Sequence, residues 1–108
     1  MIRKVSVYYR DQKAGLLEQT NDGFRFTYET AYLNDVSAHP VSLSLPLQKE
    51  PYVSKVLFAF FDGLIPEGWL LEMTSRILKL DVHDRFGLLL ATASHTIGAV
   101  TVKEMENE

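Results

Sequence analysis

The sequence predicts an α+β fold: one small domain over residues 1–108, with an antiparallel sheet that opens as a three-strand meander, about three helices in the second half and a C-terminal strand. Three observations carry that reading. Residues 2–28 alternate apolar and polar side chains with a period of two, interrupted by short turn signals. Residues 54–92 carry helix-like patterns with capping residues instead. Alternation then returns in "GAVTVK", residues 98–103.

The elements follow in order. In Ile2–Tyr9, Val5 and Val7 alternate with Lys4, Ser6 and Tyr8, as in a half-buried strand. "RDQKAG" reads as a turn and Gly15–Gln19 as a second strand. "TNDG" is a hairpin signal, because Asn and Gly tolerate the positive φ that tight turns require. Phe24, Phe26 and Tyr28 then alternate with Arg25, Thr27 and Glu29, and connections this short imply an antiparallel meander. Thr30–Val36 has room for one helical turn, with Thr30 as its cap.

"HPVSLSLPLQKEP" reads as extended. Val41, Leu43, Leu45 and Leu47 share one face, Ser42 and Ser44 the other, and Pro46 and Pro51 limit pairing. Ser54–Leu64 reads as a helix capped by Ser54 and closed near Gly63. Pro66 suits the first turn of another helix, with Glu67 beside it and Arg76 and Lys79 in the last turn, as the helix dipole favours. Asp81 and Asp84 resemble a capping arrangement for a third helix ending near Thr92, and "EMENE" is an acidic end.

Composition narrows the function. The net charge is −3 and no basic run is present, so direct nucleic-acid binding is not expected. The absence of cysteine removes disulfides, thiolate catalysis and Cys-based zinc sites. "MIRKVSVYYRDQ" lacks the apolar core of a signal peptide, and no run approaches the ~20 apolar residues of a membrane span. A soluble cytoplasmic protein without membrane association is the expectation.

No constellation of residues suggests catalysis, a cofactor or a metal. His39, His83 and His95 lack the i, i+4 spacing that places two imidazoles on one helix face. Ser42 and Ser44 do not lie in a G-x-S-x-G elbow. Asp62 and Glu67 straddle a proline break, and Glu67 suits helix-dipole duty better than acid–base work. The glycines at 15, 23, 63, 68, 87 and 98 form no phosphate-binding loop.

One segment carries more apolar surface than a small domain needs. Wound at 100° per residue from Trp69, the helix after Pro66 places Leu80, Met73, Ile77 and Leu70 within about 100°, as if facing a core; Leu78 and Leu71 widen the arc to about 200°. A surface helix needs a stripe only a little over 100° wide. Either the helix is sandwiched between sheet and neighbouring helix, or one margin is left for a partner. Trp69, just after "IPEG", is the natural anchor of such a margin, since Trp buries much area at low entropy cost.

"VSLSLPL", "FFDGLIPEG" and "DRFGLLLATASHTIGAV", in that order, resemble the N-terminal subdomain of HipA-type bacterial Ser/Thr kinases. There an extended "SLSLPL" precedes an "FF-[DE]-x-L-[LI]-P-[DE]" helix end, a "D-x-F-x-LL" helix and a strand beginning Gly-Ala. "VSVYY", "GLLEQ" and "FRFTY" resemble the family's opening meander, so the likeness covers essentially the whole chain. It departs at Ala93-Ser94-His95, where the family usually has Gly-x-Asp before the strand.

In HipA a kinase body follows this subdomain. A chain ending at Glu108, as the acidic "KEMENE" favours, would carry neither ATP site nor catalytic aspartate. A free-standing copy is similar to HipS, the antitoxin of tripartite HipB–HipS–HipT systems, in which HipT is a HipA-like kinase without its own N-terminal subdomain. The resemblance implies an inhibitor of a separate HipT-like Ser/Thr kinase, and leaves open a HipB-like helix-turn-helix protein as third component. The expected partner-binding residues are Ile65, Glu67, Gly68, Trp69, Leu71 and Met73, docking near the kinase's ATP-phosphate loop. Two alternatives remain: a non-inhibitory subunit bridging kinase and DNA-binding protein, or the N-terminal piece of a full-length HipA-like kinase.

Overall fold

The computed structural model describes residues 3–65, 76, 77, 79, 81, 83–92 and 99–104. Its strands are β1 (Arg3–Tyr9), β2 (Gln12–Thr20), β3 (Gly23–Tyr28), β4 (Tyr52–Ser54) and β5 (Val100–Glu104). Its helices among the described residues are α1 (Thr30–Leu33), α2 (Ala59–Asp62) and α3 (Arg85–Thr92). The strands form one antiparallel sheet in the order β4-β3-β2-β1-β5. The α+β class, the meander and the C-terminal strand thus stand as the sequence indicates.

The first hairpin is tighter than expected. Its turn is Arg10–Asp11 alone, and β2 starts at Gln12 rather than Gly15. Arg10 takes a φ of 56°, which lets two residues reverse the chain. A bulge follows, since Val7 faces Gly15 while Tyr8 faces Lys13, leaving Ala14 as the extra residue. That shift allows Ala14 and Leu17 both to be buried despite their odd spacing. Gly15 lies opposite Tyr28, and a Cβ there would stand 2.9 Å from the Phe26 ring and 2.6 Å from the Thr27 carbonyl oxygen. At the second turn Gly23 has a φ of 149°, and a side chain would overlap the Ser54 carbonyl.

Register puts Val5, Val7, Leu17, Phe26, Tyr28 and Val102 on one face of the sheet. They form a single buried cluster with Tyr32 of α1, Val41, Leu45, Leu57, Phe61 of α2, Ile65 and Phe86, Leu88 and Leu89 of α3. Phe26 sits at the centre, with ring centroids 4.8 Å from Tyr28 and 5.5 Å from Phe61. On the other face Lys4, Glu18 and Arg25 lie abreast, and the Glu18 carboxylate accepts two 3.1 Å bonds from Arg25. Glu18 is buried, so this pairing satisfies a charge that would otherwise be costly.

Three expectations are corrected. "SLSLPL" is not extended: the Leu45 N–H bonds the Ser42 carbonyl at 3.0 Å, and a tight turn results. Val41 and Leu45 are buried while Leu43, at the tip, is 96% exposed, so the four apolar residues do not share a face. Ser42 and Ser44 hydrogen-bond each other at 2.9 Å within that turn. Second, Ser54 caps no helix. Tyr52–Ser54 pair with Phe24–Phe26 as β4, because β3 offers an unpaired edge, and Ser54 Oγ accepts the Val56 N–H at 3.3 Å. The helix beyond shrinks to Ala59–Asp62, with Gly63 at its C-cap. Third, the N-cap of α1 is Glu29, in extended conformation, and Thr30 is already helical.

The segment between α1 and β4 is held by two phenols. Tyr28 Oη accepts the Val41 N–H at 3.0 Å and donates to the Leu45 carbonyl. Tyr32 Oη accepts the His39 N–H at 3.1 Å and donates to the His39 carbonyl at 2.6 Å. Burial pushes the Tyr28 hydroxyl up to about 12, offset in part by the Val41 N–H. The folded form therefore retains this proton where the unfolded chain, near pH 10, releases it. Its contribution is complete below pH 10 and lost as pH rises to about 12. We expect Tyr28→Phe to cost about 1–3 kcal/mol at neutral pH, by orphaning the Val41 N–H and the Leu45 carbonyl. Denaturant melts from pH 8 to 12 should show wild type losing stability above pH 10 more steeply than the variant.

Candidate protein-docking site

The expected docking segment leaves the fold through α2. In "FFDGLI" Phe61 and Ile65 fall four residues apart, and both turn into the core. The Ile65 N–H bonds the Asp62 carbonyl at 3.1 Å, carrying the chain round one further turn. At 3% exposure Ile65 anchors the segment from below and presents no open surface. Glu67, Gly68, Trp69, Leu71 and Met73 lie outside the described residues, as do Pro66, Leu70, Leu78 and Leu80. Farther on, Arg76 and Ile77 are helical and Lys79 takes a φ of 55°. Ile77, expected to face a core, is 71% exposed.

The chain returns at α3, and both junctions carry ion pairs. Arg85, the first residue of α3, places Nε 2.7 Å from Oδ1 of Asp62, the last residue of α2. One position earlier, Asp84 accepts two bonds from Arg3 of β1, at 2.7 and 3.1 Å. Arg3 lies on the core face of the sheet opposite Gln19, which accepts its Nε–H at 2.6 Å. Its guanidinium also stands 5.0 Å from the centroid of the Phe86 ring. Asp84 Oδ1 in turn accepts the Gly87 N–H at 3.1 Å, capping α3. A side chain at Gly87 would overlap the Asp84 carboxylate, so the glycine leaves room for the double engagement. Sequence reading marked Asp84 but had Asp81 open the helix, whereas the helix opens at Arg85 and Asp81 accepts the His83 N–H at 2.8 Å; it did not foresee these pairs, because 81 and 23 positions separate the partners.

The Arg3 hydrogen bonds hold the Asp84 carboxyl below the usual carboxylate range; partial burial opposes this and the Gly87 N–H assists it. All four side chains are about a third or more exposed, so water screens them. Pairs in such settings contribute about 0.2–1 kcal/mol each.

Other surfaces offer less. Among the described residues, one open cleft lies over Leu16, Glu18, Arg25 and Thr27, and another around Tyr9, Gln12 and His39. In the first, Glu18 is already bound by Arg25, with Lys4 3.9 Å away. Among the described residues no group of three or more His, Asp or Glu side chains could hold a metal ion. None of the described helices is long and apolar enough to cross a membrane. Leu43, Val53 and Val56 are exposed apolar residues on the turn, on β4 and just beyond it.

A lowered carboxyl pKa has a defined pH signature. Asp84 adds stability above the ordinary carboxylate value near 3.9, and that stability fades as pH falls through its lower folded value. Asp84→Asn keeps a capping oxygen and loses the charge. Urea melts should place it about 0.2–1 kcal/mol below wild type at pH 7, with the gap closing below pH 4.

Known proteins give this geometry a family. Residues 5–103 match the family described as HipA N-terminal domain. An uncharacterized protein of Haemophilus influenzae is 34% identical over 96% of this chain and 94% of its own length. A putative kinase of Sinorhizobium fredii is 29% identical over 99% of this chain, which spans only 26% of that protein. A solved structure titled N-terminal domain of HipA toxin is 31% identical and superposes with a TM-score of 0.76, covering 100% of this chain and 97% of that one. The chain belongs to the HipA N-terminal domain family.

Proposed function

We propose that this chain is an antitoxin that binds a separate HipA-like Ser/Thr kinase in the cytoplasm and inhibits it, through an apolar surface at the "IPEGW" corner. One observation carries the reading. The same domain accounts for 94% of the Haemophilus relative but only 26% of the putative kinase from Sinorhizobium. The family thus includes a protein in which this domain has almost no accompanying chain. A surface packed against a kinase body in a two-part protein stays apolar when the parts are separate chains.

Trp69 is the proposed anchor, with Gly68, Leu71 and Met73 around it and Glu67 at the rim. Ile65 supports them from the core. Exposed Ile77 belongs to the stretch that carries the wide apolar arc, and it supports a surface left for a partner. Phosphoryl transfer depends almost wholly on positioning, so a side chain that displaces the kinase's phosphate-binding loop is enough to stop it. The inhibitor needs no catalytic group or cofactor of its own. A HipB-like DNA-binding protein is the proposed third component.

One other reading has support of its own. The match to one quarter of a kinase favours the N-terminal part of a longer enzyme; a reading frame continuing past Glu108 into a kinase body would establish it. A bridging subunit that leaves the kinase active would bind with the same surface. The test is growth rescue and binding with a HipA-like kinase that lacks its own N-terminal subdomain. Wild type should restore growth, and Trp69→Ala, folded by circular dichroism, should lose about 2 kcal/mol or more of binding and the rescue with it. A folded variant of unchanged potency would overturn the Trp69 anchor.

A further inference from the structure

We infer that the Asp62–Arg85 and Arg3–Asp84 pairs are positioning residues: together they clamp the two ends of the docking segment and set how it meets the kinase. The inference rests on the docking reading above. It starts from the placement of the pairs. Asp62 and Arg85 are 23 positions apart, touch at 2.7 Å, and bracket the residues assigned to docking. Asp84, where the chain re-enters the domain, is fastened to β1 through Arg3, which Gln19 and the Phe86 ring hold in turn. The exit of the segment is therefore tied to its return, and the return is tied to the sheet.

Apolar packing alone leaves these junctions less defined. α2 is four residues long, and Phe61 and Ile65 fix its depth in the core. A contact without direction does not fix the rotation about that anchor, whereas the paired Arg3–carboxylate bonds impose both distance and orientation. At their exposure the pairs add little to global stability. Their larger effect falls on binding, because fixing where the chain leaves and re-enters the domain lowers the cost of ordering that the partner would otherwise have to meet.

Charge exchange separates positioning from mere stability. A HipA-like kinase lacking its own N-terminal subdomain would be titrated with wild type, Asp62→Arg, Arg85→Asp, the double exchange, Arg3→Gln and Trp69→Ala, with a thermal midpoint for each. We expect the two charge reversals, which replace attraction by repulsion, to weaken binding by about tenfold and Arg3→Gln by about two- to fivefold, with midpoints falling only a few degrees. The double exchange should recover binding to within about threefold of wild type. Single variants that bind as tightly as wild type would overturn the clamp, as would a double exchange no better than the singles. If wild type itself fails to bind, the docking reading falls. If Trp69→Ala loses binding while the clamp variants keep it, only the clamp falls.

Discussion

A sheet with one apolar face has to be covered, and here the cover has little strength of its own. Helices of four residues do not persist in isolation, because nucleation costs more than so few hydrogen bonds return. The stretch between α1 and β4 is held by little more than two turns, Asp35–Ala38 and Ser42–Leu45. The cover therefore depends on side chains rooted in the sheet. Phe26 receives Phe61 of α2, and the stacked Tyr28 and Tyr32 reach through the apolar layer to hold the backbone from His39 to Leu45. Gly15 is part of the same constraint, since the Phe26 ring occupies the space where its side chain would be.

That arrangement places the proposed docking segment between two fixed points. α2 is pressed down by Phe61 and Ile65, α3 by Phe86, Leu88 and Leu89, and the polar contacts Asp62–Arg85 and Arg3–Asp84 lie where the chain leaves and re-enters. On the reading proposed above, the same surface is presented whether the domain is joined to a kinase or separate from it, and ion pairs at the ends of the segment would hold it in either setting.

Elements whose periodicity is local were legible in the sequence. Val5/Val7 and Phe24/Phe26/Tyr28 showed the meander, "TNDG" its second turn, and Asp84 the start of α3. Features decided by distant partners were not. Tyr52–Ser54 become a strand because β3 has a free edge, and nothing within those three residues announces it. "SLSLPL" has the alternation of a strand, but the Tyr28 hydroxyl takes both Val41 and Leu45 and the chain must turn between them. At the candidate site the resemblance marked the segment and Trp69 stood out as its largest apolar side chain. The ion pairs at its base stayed hidden, because Arg3 gives no sign that its partner is 81 residues away.

The most direct test is a titration of the autophosphorylation rate of a HipA-like kinase lacking its own N-terminal subdomain with the purified wild-type chain. An inhibitor that displaces the phosphate-binding loop should drive the rate to the background at one equivalent. A complex that forms at one to one and leaves the rate unchanged would contradict the account, and would make this domain a subunit of the kinase assembly.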